Sequence, residues 1–156
     1  MVLTIKLDTT SLDPETGDIW RIATQIEDDV EIFRFKAGTI DSTTHKYLVR
    51  IYGPDYMDDH DSEGLDKPID FFDYISDLIE TEGKLTIVAH SIPYVVNWLR
   101  HFYKDHDVKY HEHFHSHGID TITLASEVCK NHRKQVQNLD LHTVALLCDI
   151  PYQEKD

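Results

Sequence analysis

The chain has 156 residues, 40% of them hydrophobic, with 15 basic and 29 acidic side chains for a net charge of −14. That length is one domain with room for a real core, and the charge argues against tight non-specific nucleic-acid binding, because phosphate contacts supply most of that affinity. No apolar run approaches the roughly 18 residues a membrane span needs and no signal-peptide pattern opens the chain, so a cytoplasmic protein with no membrane association is expected. Cys129 and Cys148 sit in apolar helical contexts and read as buried free thiols of a reducing compartment.

Val2 to Leu7 alternate apolar and polar side chains with β-branched residues among them, which predicts a strand. The strand stops at Asp8-Thr9-Thr10-Ser11, and Asp13-Pro14-Glu15-Thr16-Gly17-Asp18 supplies a turn. Ile19 to Ile26 reads as a second strand. Val30 to Phe35 pairs with it as a hairpin across Glu27-Asp28-Asp29, and a further meander strand is expected over Lys46 to Tyr52, ended by Gly53-Pro54. The segment Asp55 to Lys67 has no periodicity and reads as a loop. Pro68 then occupies the first position of a helix whose apolar stripe is Ile69, Phe72, Ile75 and Ile79. After Gly83-Lys84, Leu85 to Ala89 is a short run of buried-strand type. His90-Ser91-Ile92-Pro93 turns the chain into a helix from Tyr94 to about Tyr103. A polar, histidine-dense segment runs to Gly118. Asp120 or Thr121 is placed to cap a helix carrying Ile122, Leu124, Ala125 and Val128, and Asn138-Leu139-Asp140 opens a last helix that ends at Asp149-Ile150-Pro151. This order predicts an α/β protein with a mixed sheet, an antiparallel meander first and helices on the faces.

Three blocks resemble the DnaQ-like 3′–5′ exonucleases of the DEDD superfamily. Ile5-Lys6-Leu7-Asp8-Thr9-Thr10-Ser11-Leu12-Asp13-Pro14 resembles the first motif, F-D-x-E-T-T-G-L-D-P. Ala89-His90-Ser91-Ile92-Pro93-Tyr94-Val95-Val96-Asn97-Trp98-Leu99 resembles A-H-N-A-x-F-D-x-x-F-L. The third block, Ile119-Asp120-Thr121-Ile122-Thr123-Leu124-Ala125, resembles I-D-T-x-x-L-A. The resemblance implies a ribonuclease H-like fold over 1–156, as a single domain truncated before the family's last motif. It also implies two-metal phosphodiester cleavage, in which four carboxylates hold a pair of Mg²⁺ or Mn²⁺ ions. At the matching positions Lys6 replaces the first acid, Asp8 the second, and Val95 the third metal-binding acid, while the final histidine and acid have no counterpart.

No catalysis and no cofactor are therefore expected. The remnant positions are Lys6, Asp8, His90 and Val95, with Lys6 and Asp8 forming a substitute ion pair. At about 4 Å such a pair is worth up to a few kcal/mol at intermediate dielectric. His90 reads as a residue holding the strand-to-helix turn.

Two features outside the motifs carry charge or ligand chemistry. Eleven acids and one base lie between Asp55 and Glu82, a net −10 in 28 residues. Asp55, Asp58, Asp59, Asp61, Glu63, Asp66, Asp70, Asp73 and Asp77 read either as a solvated face or as a binding surface for a partner protein with a basic surface. His111, His113, His115 and His117 alternate along a segment that, if extended, puts their imidazoles on one face, as Zn²⁺ or Ni²⁺ would need; with Asp8 they are the weak metal candidates, against a plain polar loop. The sequence reading is thus an inactive exonuclease-like module that binds protein, with nucleic acid weak or indirect and a homo-oligomer open. Its alternative is a divergent 3′–5′ exonuclease on single-stranded nucleic acid, using Mg²⁺ or Mn²⁺.

Overall fold

The computed structural model describes residues 1–56, 64–128 and 143–145. Its elements in chain order are β1 (Val2–Thr9), β2 (Ile19–Ile26), β3 (Asp29–Arg34), α1 (Ser42–Tyr52), α2 (Pro68–Glu82), β4 (Thr86–Ala89), α3 (Ile92–Asp105), the single turn α4 (Tyr110–His113), β5 (Ile119–Asp120) and α5 (Thr121–Val128). They form one mixed five-stranded sheet in the order β3-β2-β1-β4-β5. The first three strands are the expected antiparallel meander, and β4 and β5 add in parallel.

Alternation along β1 turns Leu3, Ile5 and Leu7 into the core, where Phe71, Phe72 and Ile75 of α2 and Val95, Trp98, Leu99, Phe102 and Tyr103 of α3 meet them. Trp20 and Trp98 are buried as expected. The centre of this layer is aromatic: Phe72 meets the Tyr103 ring edge-on at 4.9 Å, and Phe33 meets Phe71 likewise at 5.3 Å, geometries in which ring edges face ring π-clouds.

The expected strand over Lys46–Tyr52 is a helix. Asp41 caps α1 by accepting from the Thr43 and Thr44 amides at 2.9 and 2.8 Å, and these bonds hold the Asp41 carboxyl below its ordinary value. Thr44 and Leu48, four residues apart, are the buried positions of α1, and Gly53 at φ 91° ends it. The β-branched Val49 and Ile51 imitate strand alternation, but the Asp-Ser-Thr-Thr cap decides the outcome.

Pro68 does open α2, and the Asp70 carboxylate accepts from the Lys67 amide at 2.7 Å. The strand Ile119–Asp120 was not foreseen. It lies beside β4, and Gly118 precedes it because an added Cβ would stand 2.9 Å from the Ile87 carbonyl oxygen. The last helix expected from Asn138 lies outside the described residues apart from the helical Thr143–Ala145, and so do Cys129 and Cys148.

Candidate functional site

Asp8 stands at the C-terminal end of β1, in the middle of the sheet, and is 7% exposed. The register places it directly opposite Arg21 of β2. One residue further the pairing slips: Thr9 faces Ile19, leaving Trp20 as an extra residue in β2, and such a bulge re-aims neighbouring side chains. Arg21 donates from Nε to Asp8 Oδ2 at 2.6 Å and from Nη2 to the Tyr52 hydroxyl at 2.8 Å. The Tyr52 hydroxyl in turn donates to Asp8 Oδ1 at 3.1 Å. Tyr52 comes from the last turn of α1, which brings its ring and hydroxyl over the Asp8 end of this face of the sheet.

Two cations flank the Tyr52 ring, Lys6 Nζ at 4.8 Å and the Arg21 guanidinium carbon at 4.9 Å. Partial desolvation lowers the Lys6 pKa; Asp8 opposes that shift and Arg21 adds to it. Burial, and then the Asp8 charge, push the Tyr52 hydroxyl far above its ordinary value, so it stays a neutral donor. The expected Lys6–Asp8 ion pair is thus replaced by an Arg21–Asp8 pair, with Lys6 over the Tyr52 ring. Arg21 wins because a cross-strand neighbour reaches the carboxylate directly, whereas Lys6 lies two residues away along the same strand.

The other motif positions close around the same end of the sheet. The Tyr94 and Thr9 hydroxyls are 2.7 Å apart, and burial, with Asp8 among the lesser causes, raises the Tyr94 pKa. Val95 is 3% exposed and belongs to the apolar cluster. His90 Nδ1 lies 3.0 Å from the Thr121 hydroxyl, a turn-holding bond of the kind expected. Asp120 Oδ1 accepts from the Ser91 amide at 3.2 Å and from the Ile122 amide at 2.9 Å, so it caps α5 and braces Ser91, whose φ of 65° is left-handed.

As a donor set for Mg²⁺ this site does not fit. A hard divalent ion needs several anionic or neutral oxygens in octahedral array. Here the carboxylate already bonds a guanidinium and a phenol, a second cation stands beside it, and Val95 offers no lone pair.

The histidine tract is not an extended segment with one imidazole face. Tyr110–His113 is a helical turn, which buries His113 and leaves His111, His115 and His117 exposed. His113 Nδ1 is 2.9 Å from the buried Tyr103 hydroxyl, while His115 and His117 stack on each other at 5.3 Å. Among the described residues no group of three or more His, Cys, Asp or Glu side chains is placed to hold a metal.

The acidic stretch divides into two roles. Asp66 accepts from the Arg34 amide at 2.8 Å and returns its own amide to the Arg34 carbonyl at 2.7 Å, tying the chain to the edge strand β3, and Asp70 caps α2. Asp55, Asp73 and Asp77 are exposed, and Asp58, Asp59, Asp61 and Glu63 lie outside the described residues. A cleft of about 450 Å³ between the start of β2 and α3, with Trp98, His101 and Lys67 in its walls, includes none of Lys6, Asp8, His90 and Val95.

Arg21, Tyr52, Tyr94 and Thr9 were missed as site residues. Arg21 carried a signal, being the one charged residue in the run Ile19 to Ile26. Tyr52 carried none once its helix had been taken for a strand.

No family model and no curated protein matches the sequence. The fold is shared with solved structures of exonuclease I. The complex with inhibitor BCBP superposes with a TM-score of 0.68 at 13% identity, covering 97% of this chain and 37% of that one. The SSB/exonuclease I complex with inhibitor CFAM gives 0.67 at 12% identity over 97% and 37%, and the product-bound enzyme gives 0.66 at 12% over 97% and 39%. The chain thus has the ribonuclease H-like fold of DnaQ-like exonucleases and spans little more than a third of the exonuclease I chains it matches.

Proposed function

We propose that this chain is an exonuclease-like domain without nuclease chemistry, acting as an acidic protein-binding or inhibitory module in nucleic-acid metabolism. The observation that carries this reading is the state of Asp8: the one carboxylate among the matched positions Lys6, Asp8 and Val95 is neutralised by Arg21 at 2.6 Å and covered by Tyr52. Two-metal hydrolysis needs carboxylates free to hold cations and a water to attack phosphorus. A guanidinium and an ammonium in that place repel divalent ions and supply no nucleophile.

The partner is a protein with a basic surface. The exposed carboxylates of α2, Asp73 and Asp77, support this, because they have the sign that steers such a surface and repels phosphate backbones. A 3′-resection assay on 5′-labelled single- and double-stranded DNA and RNA, with Mg²⁺ and then Mn²⁺ and an Asp8→Ala control, tests the reading. No degradation at high protein concentration is the expected result. Degradation that disappears in Asp8→Ala would overturn it in favour of a divergent 3′–5′ exonuclease.

A further inference from the structure

The described part of this acid-rich protein gathers cations in one place that the reading above does not use. α3 leaves the C-terminal end of β4, and β4 runs parallel to β1. Its later turns therefore come back toward the strand ends remote from Asp8. There Arg100, Lys104 and Lys109, with the single acid Asp107 and with His111, line an open groove of about 480 Å³ together with Tyr103, Val108 and Tyr110. The Arg100 guanidinium carbon lies 5.4 Å from the Tyr110 ring centre, a stacking that fixes the planar group and leaves its hydrogen-bonding edge available. Lys109 is engaged with Glu112 at 3.0 Å. Arg100 and Lys104 form no ion pair with any described residue, and as like charges four apart on one helix they weaken that helix slightly.

The complement lies on the neighbouring helix. Asp73 and Asp77 of α2 are likewise exposed, likewise four residues apart, and likewise without an ion pair among the described residues. Each row repeats at about 6 Å along its helix. α2 and α3 pack against the same face of the sheet, so an acidic and a basic row share one side of the molecule, as a two-fold, self-complementary contact requires.

We propose that this side of the protein is a homodimer interface, in which the Asp73–Asp77 row of each copy pairs with the Arg100–Lys104 row of the other. The net charge of −14 opposes the approach of two copies at low ionic strength. Salt near 0.15 M screens charge beyond about 8 Å and leaves contact pairs in place. Self-association then passes through a maximum at moderate salt.

Sedimentation equilibrium from about 10 to 500 µM protein, a range that reaches weak dimers, tests this on the whole chain. The variants are R100E/K104E, D73K/D77K and the combination of all four, each checked for native circular dichroism. The wild type is expected to dimerise at about 0.15 M salt and to dissociate at about 1 M. Each double reversal is expected to weaken the dimer at least tenfold, and the fourfold variant to recover it. A wild type that stays monomeric throughout would overturn the proposal, as would a fourfold variant no better than its parents, or a monomer whose Arg100 and Lys104 retain poly-glutamate or an oligonucleotide instead. A second copy and a basic partner compete for the Asp73–Asp77 row; R100E/K104E removes the first and leaves that row intact for the second, so failure here is distinguishable from failure of the function proposed above.

Discussion

Arg21 and Asp8 are direct cross-strand partners whose side chains close to 2.6 Å, with the arginine 16% and the aspartate 7% exposed. A pair this sheltered has exchanged most of its water for one another and for the Tyr52 hydroxyl. Its net worth against an apolar pair is small, yet removing one partner alone is costly, because a bare buried charge remains.

Arg21→Met should therefore destabilise the fold by about 3 kcal/mol, while the double variant Arg21→Met/Asp8→Leu should lose clearly less. Urea denaturation of the two single variants and the double variant gives the coupling energy. Additive losses would mean that the pair is not a unit.

Lys6 makes the opposite case. Its ammonium end is held over an aromatic ring with its pKa lowered, partial desolvation being the main cause, and its charge is not needed to balance Asp8. Lys6→Met should leave stability within about 0.5 kcal/mol of the wild type or raise it. A loss as large as that of Arg21→Met would restore Lys6 as the partner of Asp8.

A metal site should be recoverable only if both cations leave. Lys6→Asp with Val95→Asp puts back two carboxylates, but Arg21 still occupies Asp8. The expected order is no Mg²⁺-dependent thermal shift for the wild type, little for Lys6→Asp/Val95→Asp, and a clear shift once Arg21→Ala is added. At a hundredfold excess of ion over its Kd, binding stabilises by about 2.7 kcal/mol, a shift of several degrees. Equal shifts for wild type and triple variant would show that ions bind elsewhere.

Which of these facts the sequence carried follows from what kind of interaction makes them. The meander, β4, α2 and α3 were legible because alternation, stripe and Pro68 are local patterns that tertiary packing merely completes. α1 was lost because Tyr47, Val49 and Ile51 suit a strand as well as a helix. The deciding bonds are those of Asp41, and they lie outside the apolar run. At the site, the place of Asp8 at the end of β1 could be read from the sequence. The identity of the cation facing Asp8 could not, since it depends on the β1–β2 register and on a bulge at Trp20. His113 was likewise misplaced. Its face is set by a single helical turn between Tyr103 and Leu85, whose amide bonds the His113 carbonyl at 2.9 Å, and not by the alternation of the tract.

That placement has a consequence for pH. The His113 ring lies against Tyr103 with Nδ1 at the phenol. Burial lowers its pKa from an ordinary 6.5, and the nearby Glu112 only partly offsets this. Unfolding releases the imidazole to its ordinary value, so below about pH 6.5 the unfolded chain binds a proton that the folded chain resists. The stability contributed by the neutral ring is therefore present above pH 6.5 and lost as pH falls through the depressed folded value. Urea midpoints between pH 7.5 and 5 should fall more steeply for the wild type than for His113→Gln. That replacement offers the Tyr103 hydroxyl an amide and does not titrate. The difference between the two curves removes the contribution of every other ionising group. Parallel curves would mean that His113 reaches water in the folded state and that α4 does not seal it.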